Sequence, residues 1–137
     1  TMLSGASDLY RVTKQNIYMD DAKNLAKASF SYFAKPNAQV QNYLTFPFDG
    51  FSNWFNTVLL RGYIDYARLD QSAAQYVESF KNNLAYAHSN FSYEGLLPSD
   101  LLGGWNKDHS KNNTEGMFMF SFATQWALCD HLTHLKN

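Results

Sequence analysis

Apolar residues recur at helical spacing along almost the whole chain, and the pattern predicts about five helices. The first runs from about Met2 to Val12 and carries Ser4, Gly5, Ala6 and Ser7, small side chains that let a neighbouring helix approach closely. Thr13-Lys14-Gln15-Asn16 reads as a short turn. The second helix, about Ile17 to Ala34, sets Ala22, Leu25, Ala26, Phe30 and Phe33 on one stripe and Asp20, Lys23, Asn24, Lys27 and Ser31 on the other face. Pro36 cannot continue it. Asn37 to Gly50 is polar and then aromatic, and reads as loop. A third helix, about Phe51 to Leu69, is apolar on most sides and leaves only a polar line of Asn53, Thr57, Arg61 and Asp65. The fourth, about Ser72 to His88, is one-sided again, with Ala73, Val77, Phe80, Leu84 and Ala87. A long loop, Ser89 to Asn113, holds Gly95, Pro98, Gly103 and Gly104. The last helix, about Thr114 to Leu132, is apolar nearly all round.

The alternation carries the architecture. A one-sided stripe means one face in water, whereas an all-round apolar helix needs cover on every side. Helices one, three and five are therefore expected inside, and two and four outside, as in stacked helical hairpins. Both α/α toroids and helical solenoids give this pattern. No fixed period of the tetratricopeptide or ankyrin kind is visible, which disfavours the open solenoid. A closed toroid takes six hairpins and about five helices make fewer than three. The expectation is an all-α fold, a single domain over residues 1–137, forming the later part of a larger (α/α)6 barrel. A small helical domain closed by its own long loops is the alternative.

Composition narrows the partners. The 137 residues carry a net charge of −1 and a pI near 6.4, which gives no electrostatic case for nucleic acid or an anionic membrane. No apolar run reaches the roughly 20 residues needed to span a bilayer. Charged residues are only 17% of the chain and aromatics another 17%. Such an aromatic excess fits a large core best, and it is also compatible with stacking on the C–H faces of sugars. The single cysteine, Cys129, allows no intrachain disulfide. Thr1 followed by Met2 reads as an internal start, so the lack of a leader says nothing about targeting.

Candidate chemistry divides into decoys and open questions. Asp20-Asp21 is the obvious carboxylate pair, but it falls in the first turn of an amphipathic helix, where acids favour the positive end of the dipole. Adjacent helical residues also point about 100° apart and do not converge on one atom. Arg61 and Asp65 are spaced i,i+4 on an apolar helix and read as a buried pair that locks helices or meets a ligand. Among the loop carboxylates Asp49, Glu94, Asp100 and Asp108, Asp49 stands out beside Phe46, Phe48, Phe51 and Trp54; helix capping is its other reading. Trp105, after Gly103-Gly104, is either a stacking ring or packing. Cys129, His131 and His134 lack the i,i+4 spacing of helical zinc motifs, so no metal is expected. No phosphate loop or nucleophile elbow is present.

Three motifs occur in order: Thr1-Met2-Leu3-Ser4-Gly5-Ala6, Leu9-Tyr10-Arg11-Val12-Thr13 and Tyr18-Met19-Asp20-Asp21-Ala22. They resemble the central segment of family 76 glycoside hydrolases, the α-1,6-mannanases. Downstream, Trp54-Phe55-Asn56-Thr57-Val58-Leu59-Leu60-Arg61-Gly62-Tyr63 is similar to an inner helix of that family. The resemblance covers residues 1 to 88 and continues more weakly to the end. It implies an (α/α)6 barrel that cleaves α-1,6-mannan with retention through consecutive aspartates, without a cofactor. Those aspartates belong to the family's N-terminal half, ahead of the segment with which this chain begins, so no catalytic residue is carried over. The chain departs from the family at Phe55-Asn56-Thr57, where a Phe-Lys-Gly-like stretch is usual. The resulting expectation is a glycosidase fragment supplying cavity wall and subsites, with Asp49, Trp54, Arg61 and Trp105 as substrate-binding residues. Its partners would be a mannan-like oligosaccharide or polysaccharide and the N-terminal half of the same protein. A periplasmic or cell-surface location in a bacterium is implied by the family alone. A noncatalytic helical domain binding glycan or protein is the rival reading, and another toroid enzyme, such as an epimerase or unsaturated-uronyl hydrolase, is a third.

Overall fold

The computed structural model describes residues 1–47, 52–105 and 116–134. Five helices occupy them: α1 (Met2–Thr13), α2 (Asn16–Phe33), α3 (Ser52–Ala67), α4 (Ala74–Phe91) and α5 (Gly116–His134). A 3-10 turn, Gln71–Ala73, leads into α4, and the Asp70 carboxylate accepts the Ser72 N–H to start it. Each boundary has a local cause. The Thr1 hydroxyl accepts the Ser4 N–H at 3.0 Å and caps α1. Lys14 takes a left-handed φ of 59° and returns its N–H to the Tyr10 carbonyl, which ends that helix in one residue. Because α2 already begins at Asn16, its first turn holds no acidic residue. Asp20 and Asp21 sit a turn further on, exposed, and the dipole argument for them falls away.

Two rows of helices result. Helix α3 packs against both α1 and α5, and these three form one row. Helix α2 lies on α1 and α3, and α4 lies on α3 and α5, forming the second. The predicted alternation of layers is therefore present. The predicted all-round cover is not. On α3 Trp54 is 44% and Phe55 67% exposed, and on α5 Phe120 is 73% exposed. The first row keeps one apolar face that none of the described residues covers.

Between the rows sits an aromatic core. Phe46, from the loop before α3, stacks on Phe80 of α4 with centroids 4.2 Å apart. Tyr63 of α3 lies within 6.2 Å of Phe46 and 5.3 Å of Tyr76, and Phe30 of α2 closes the group at 4.9 Å from Tyr76. Offset and edge-on rings of this kind add attraction beyond the area they bury. Ala22, Ala26, Ala73 and Ala87, all fully buried, let the helices come close enough for the rings to meet. Ser29 donates to the Leu25 carbonyl at 2.7 Å, so the Tyr63 hydroxyl, 3.0 Å from Ser29, donates to Ser29 in turn.

Helices α3 and α5 are joined instead by a polar seam. Ser121 donates to the Asn53 carbonyl at 2.7 Å and its hydroxyl lies 2.6 Å from that of Thr57. The Gln125 amide reaches the Asn53 carbonyl and the Thr57 hydroxyl, both at 3.1 Å. Buried polar groups tolerate only partners in fixed positions, so the seam sets the register of the two helices.

Burial holds several protons in place. It pushes the Tyr63 and Tyr66 hydroxyls up to about 12, with Asp70 adding to the effect at Tyr66, and it pushes the Cys129 thiol up to about 12. These groups are neutral when protonated, so the unfolded chain, ionising near 9 and 10, releases its protons first. Their contribution to stability is complete below about pH 9 and drains away as pH rises towards 12. The thermal midpoint should hold level through neutral pH and then fall steadily over that alkaline range, as followed by far-UV circular dichroism. A midpoint that stays level to pH 11 would contradict the burial of these groups.

Candidate functional site

The open face of α3 collects what the sequence scattered. Trp54, Val58, Arg61 and Asp65 follow a 4-3-4 spacing, which keeps them on one side of a helix. That side lies opposite Tyr63, and hence away from the second row and the core. Trp54 and Val58 are each 44% exposed, and Arg61 is exposed one turn beyond. The expected Arg61–Asp65 pair does not form. Asp65 lies 3.6 Å from Arg68 instead, and Arg61 meets no partner among the described residues. The physical reason is the open face itself, since a cation in water needs no counter-ion.

The expected polar line is also divided. Steps of four residues drift about 40° each round an α-helix, so a line of four such residues winds about a third of a turn. Asn53 and Thr57 consequently point at α5, while Arg61 and Asp65 reach the open face.

The remaining candidates stand elsewhere. Asp49 lies outside the described residues, as do Phe48, Phe51 and Asp108. The Trp105 ring is half-buried and its indole N–H donates to the Phe91 carbonyl at 2.6 Å, satisfying one of the orphan carbonyls at the end of α4. Glu94 adopts a left-handed φ of 50° in a tight turn closed by the Tyr93–Leu96 bridge. Asp100 accepts the Leu102 and Gly103 N–H groups at 3.0 and 2.7 Å. Among the described residues no three His, Cys, Asp or Glu side chains come together as metal ligands would. No described helix is long and apolar enough to cross a membrane.

One feature escaped sequence reasoning. The loops before α3 and before α5 lie together at one end of the molecule. Gln39 of the first donates to the Leu102 carbonyl of the second at 3.1 Å, and the Asn53 amide reaches the Ser99 carbonyl. A contact across 63 residues has no local signal in the chain.

No family model matches this sequence, and no curated protein does. Among solved structures, the fold is similar to that of a family 76 glycoside hydrolase (mannosidase) from Bacteroides thetaiotaomicron. The two agree with a TM-score of 0.75 over 98% of this chain, at 19% sequence identity. This chain spans 36% of the length of that protein. The likeness read from three short motifs thus extends to the architecture. The chain is an all-α array of helical hairpins with the fold of part of a family 76 α/α toroid.

Proposed function

We propose that this chain is the later part of a family 76-like glycoside hydrolase, forming cavity wall and sugar subsites without the catalytic aspartate pair. A shared fold does not by itself carry an activity, so the reading has to stand on a site. The observation that carries it is the α3 stripe, where an exposed indole, an unpaired guanidinium and a carboxylate share the open face of the first row. In a toroid that row lines the central cavity. An indole face suits the apolar side of a pyranose, and Arg61 and Asp65 offer donors and an acceptor to its hydroxyls. Asp49 and Trp105 complete the proposed subsites.

A retaining glycosidase needs two carboxyl groups about 5–5.5 Å apart across the scissile bond. Asp20 and Asp21 stand exposed on α2, in the second row, and diverge. The chemistry therefore falls to aspartates in a preceding portion, which would also be the partner of this chain. In that reading residues 1–137 are one unit of a larger barrel, the substrate is an α-1,6-linked mannan, and the location is periplasmic or at the cell surface.

Calorimetric titration of the chain with α-1,6-linked mannotriose tests this. Trp54→Ala should weaken binding about tenfold or more, as the loss of one stacked ring does, and the chain alone should not hydrolyse α-1,6-mannan. Turnover by the chain, or binding indifferent to Trp54, would refute the reading. One feature favours the rival, a noncatalytic helical domain. A groove of about 600 Å³ between α1 and α2, lined by Met2, Leu9, Tyr18 and Leu25, would accept an apolar helix of a protein partner. A defined protein partner with no glycan affinity would decide for it.

A further inference from the structure

The two loops that meet at one end of the molecule enclose a cleft of about 480 Å³ between Phe33, Asn37, Gln39, Phe46, Asp100 and Leu102. That volume falls within the roughly 300–1,000 Å³ of small-molecule sites. Its polar groups are each held at one end. Asn37 accepts the Gln39 N–H through its carbonyl oxygen at 2.8 Å. Gln39 spends its amide on the Leu102 carbonyl, and Asp100 spends Oδ1 on two backbone N–H groups. Backbone bonds between Lys35 and Thr45, 2.8 Å in each direction, tie the first loop shut beneath them.

What remains free is one of each kind: the Asn37 amide as donor, the Gln39 carbonyl as neutral acceptor and Asp100 Oδ2 as charged acceptor. A hydroxyl both donates and accepts, and several on one ring would use all three. The Phe33 ring, 41% exposed, supplies the apolar side that a pyranose also needs. Charge excludes the obvious competitor. The lining carries one cation, Lys35, and one anion, Asp100, so it presents no net positive charge to a phosphate.

We propose that this cleft is a second saccharide site, distinct from the α3 stripe, which holds one sugar residue of a glycan chain by its hydroxyls and one apolar face. The inference rests on the glycan-binding reading for its ligand class, and on the cleft for its place.

Nitrogen-15 NMR titration of the chain with α-1,6-linked mannotriose separates the two. The side-chain amide signals of Asn37 and Gln39 should shift and saturate. Asp100→Asn should weaken that response about tenfold, as loss of a charge-assisted hydrogen bond does, while the Trp54 indole signal titrates as before. Asp100 also holds its own loop, so Phe33→Ala serves as the second variant, removing an exposed ring without touching that loop, and it too should weaken the response. Saturable shifts at Trp54 with none at Asn37 and Gln39 would overturn this inference and leave the cavity-wall reading standing. Shifts at the two amides without Trp54 would do the reverse. Silence at both positions would overturn both.

Discussion

Phe80→Ala should lower the unfolding free energy by about 3–5 kcal/mol, the usual range for a buried phenylalanine truncated to alanine. Phe80 is fully buried, stacks on Phe46 at 4.2 Å and lies 6.1 Å from Tyr63. Through those two rings it joins α4 to α3 and to the loop that precedes it. Phe46 and Tyr63 belong to helices and loops fixed elsewhere, so the cavity left behind cannot close fully. Urea unfolding followed by circular dichroism measures the loss. Phe80→Leu, which keeps most of the volume, should cost less than half as much. A cost below about 1 kcal/mol for the alanine variant would mean that the aromatic cluster does not hold the rows together.

Gly104→Ala should cost about 2–5 kcal/mol, from two separate causes. Gly104 has φ of +74°, a conformation that costs an L-residue about 1–2 kcal/mol. A Cβ there would also fall 2.6–2.9 Å from three atoms of the Phe91 ring. That ring cannot swing freely, because it packs edge-on against Tyr86 at 5.9 Å and its own carbonyl holds the Trp105 indole. Overpacking of this kind adds about 1–3 kcal/mol. Gly95 is the control: its φ is +79°, yet nothing lies within 4 Å of its would-be Cβ. Gly95→Ala should therefore show the strain alone, about 1–2 kcal/mol. Equal costs at the two glycines, measured by thermal or urea unfolding, would remove the packing argument. Gly104→Ala should also alter tryptophan fluorescence, since Trp105 is anchored through the displaced Phe91.

The Trp105 anchor changes how the aromatic richness of this chain is understood. Stacking on sugars and filling a core were both open from composition. The structure divides the rings between the two uses. Phe30, Phe46, Tyr63, Tyr76 and Phe80 form the core, and Trp105 closes the end of α4. Trp54, Phe55 and Phe120 remain exposed on the first row. Rings of the last kind, and Phe33 at the cleft, are exposed enough to meet a ligand, while the half-buried Trp105 can offer only part of its surface.

The chain by itself determined the helices and their sorting into two rows. Periodicity at 3.6 residues, Pro36 and the polar turn at residues 13–16 are local, and each boundary they implied lies within about three residues of the observed one. The end of α4 is less legible: the helix runs on to Phe91, beyond the expected His88, because its amphipathic stripe fades before its backbone bonding does. Tertiary structure alone decided where the charges and the open surface go. Arg61 and Asp65 look like partners at i,i+4, but pairing depends on burial, and burial depends on which neighbours are present. A helix apolar all round announces that it needs cover without saying which chain segment provides it. The joining of the loops before α3 and α5, through Gln39 and Leu102, likewise depends on how the rows stack, and stacking is set by contacts between residues far apart in sequence.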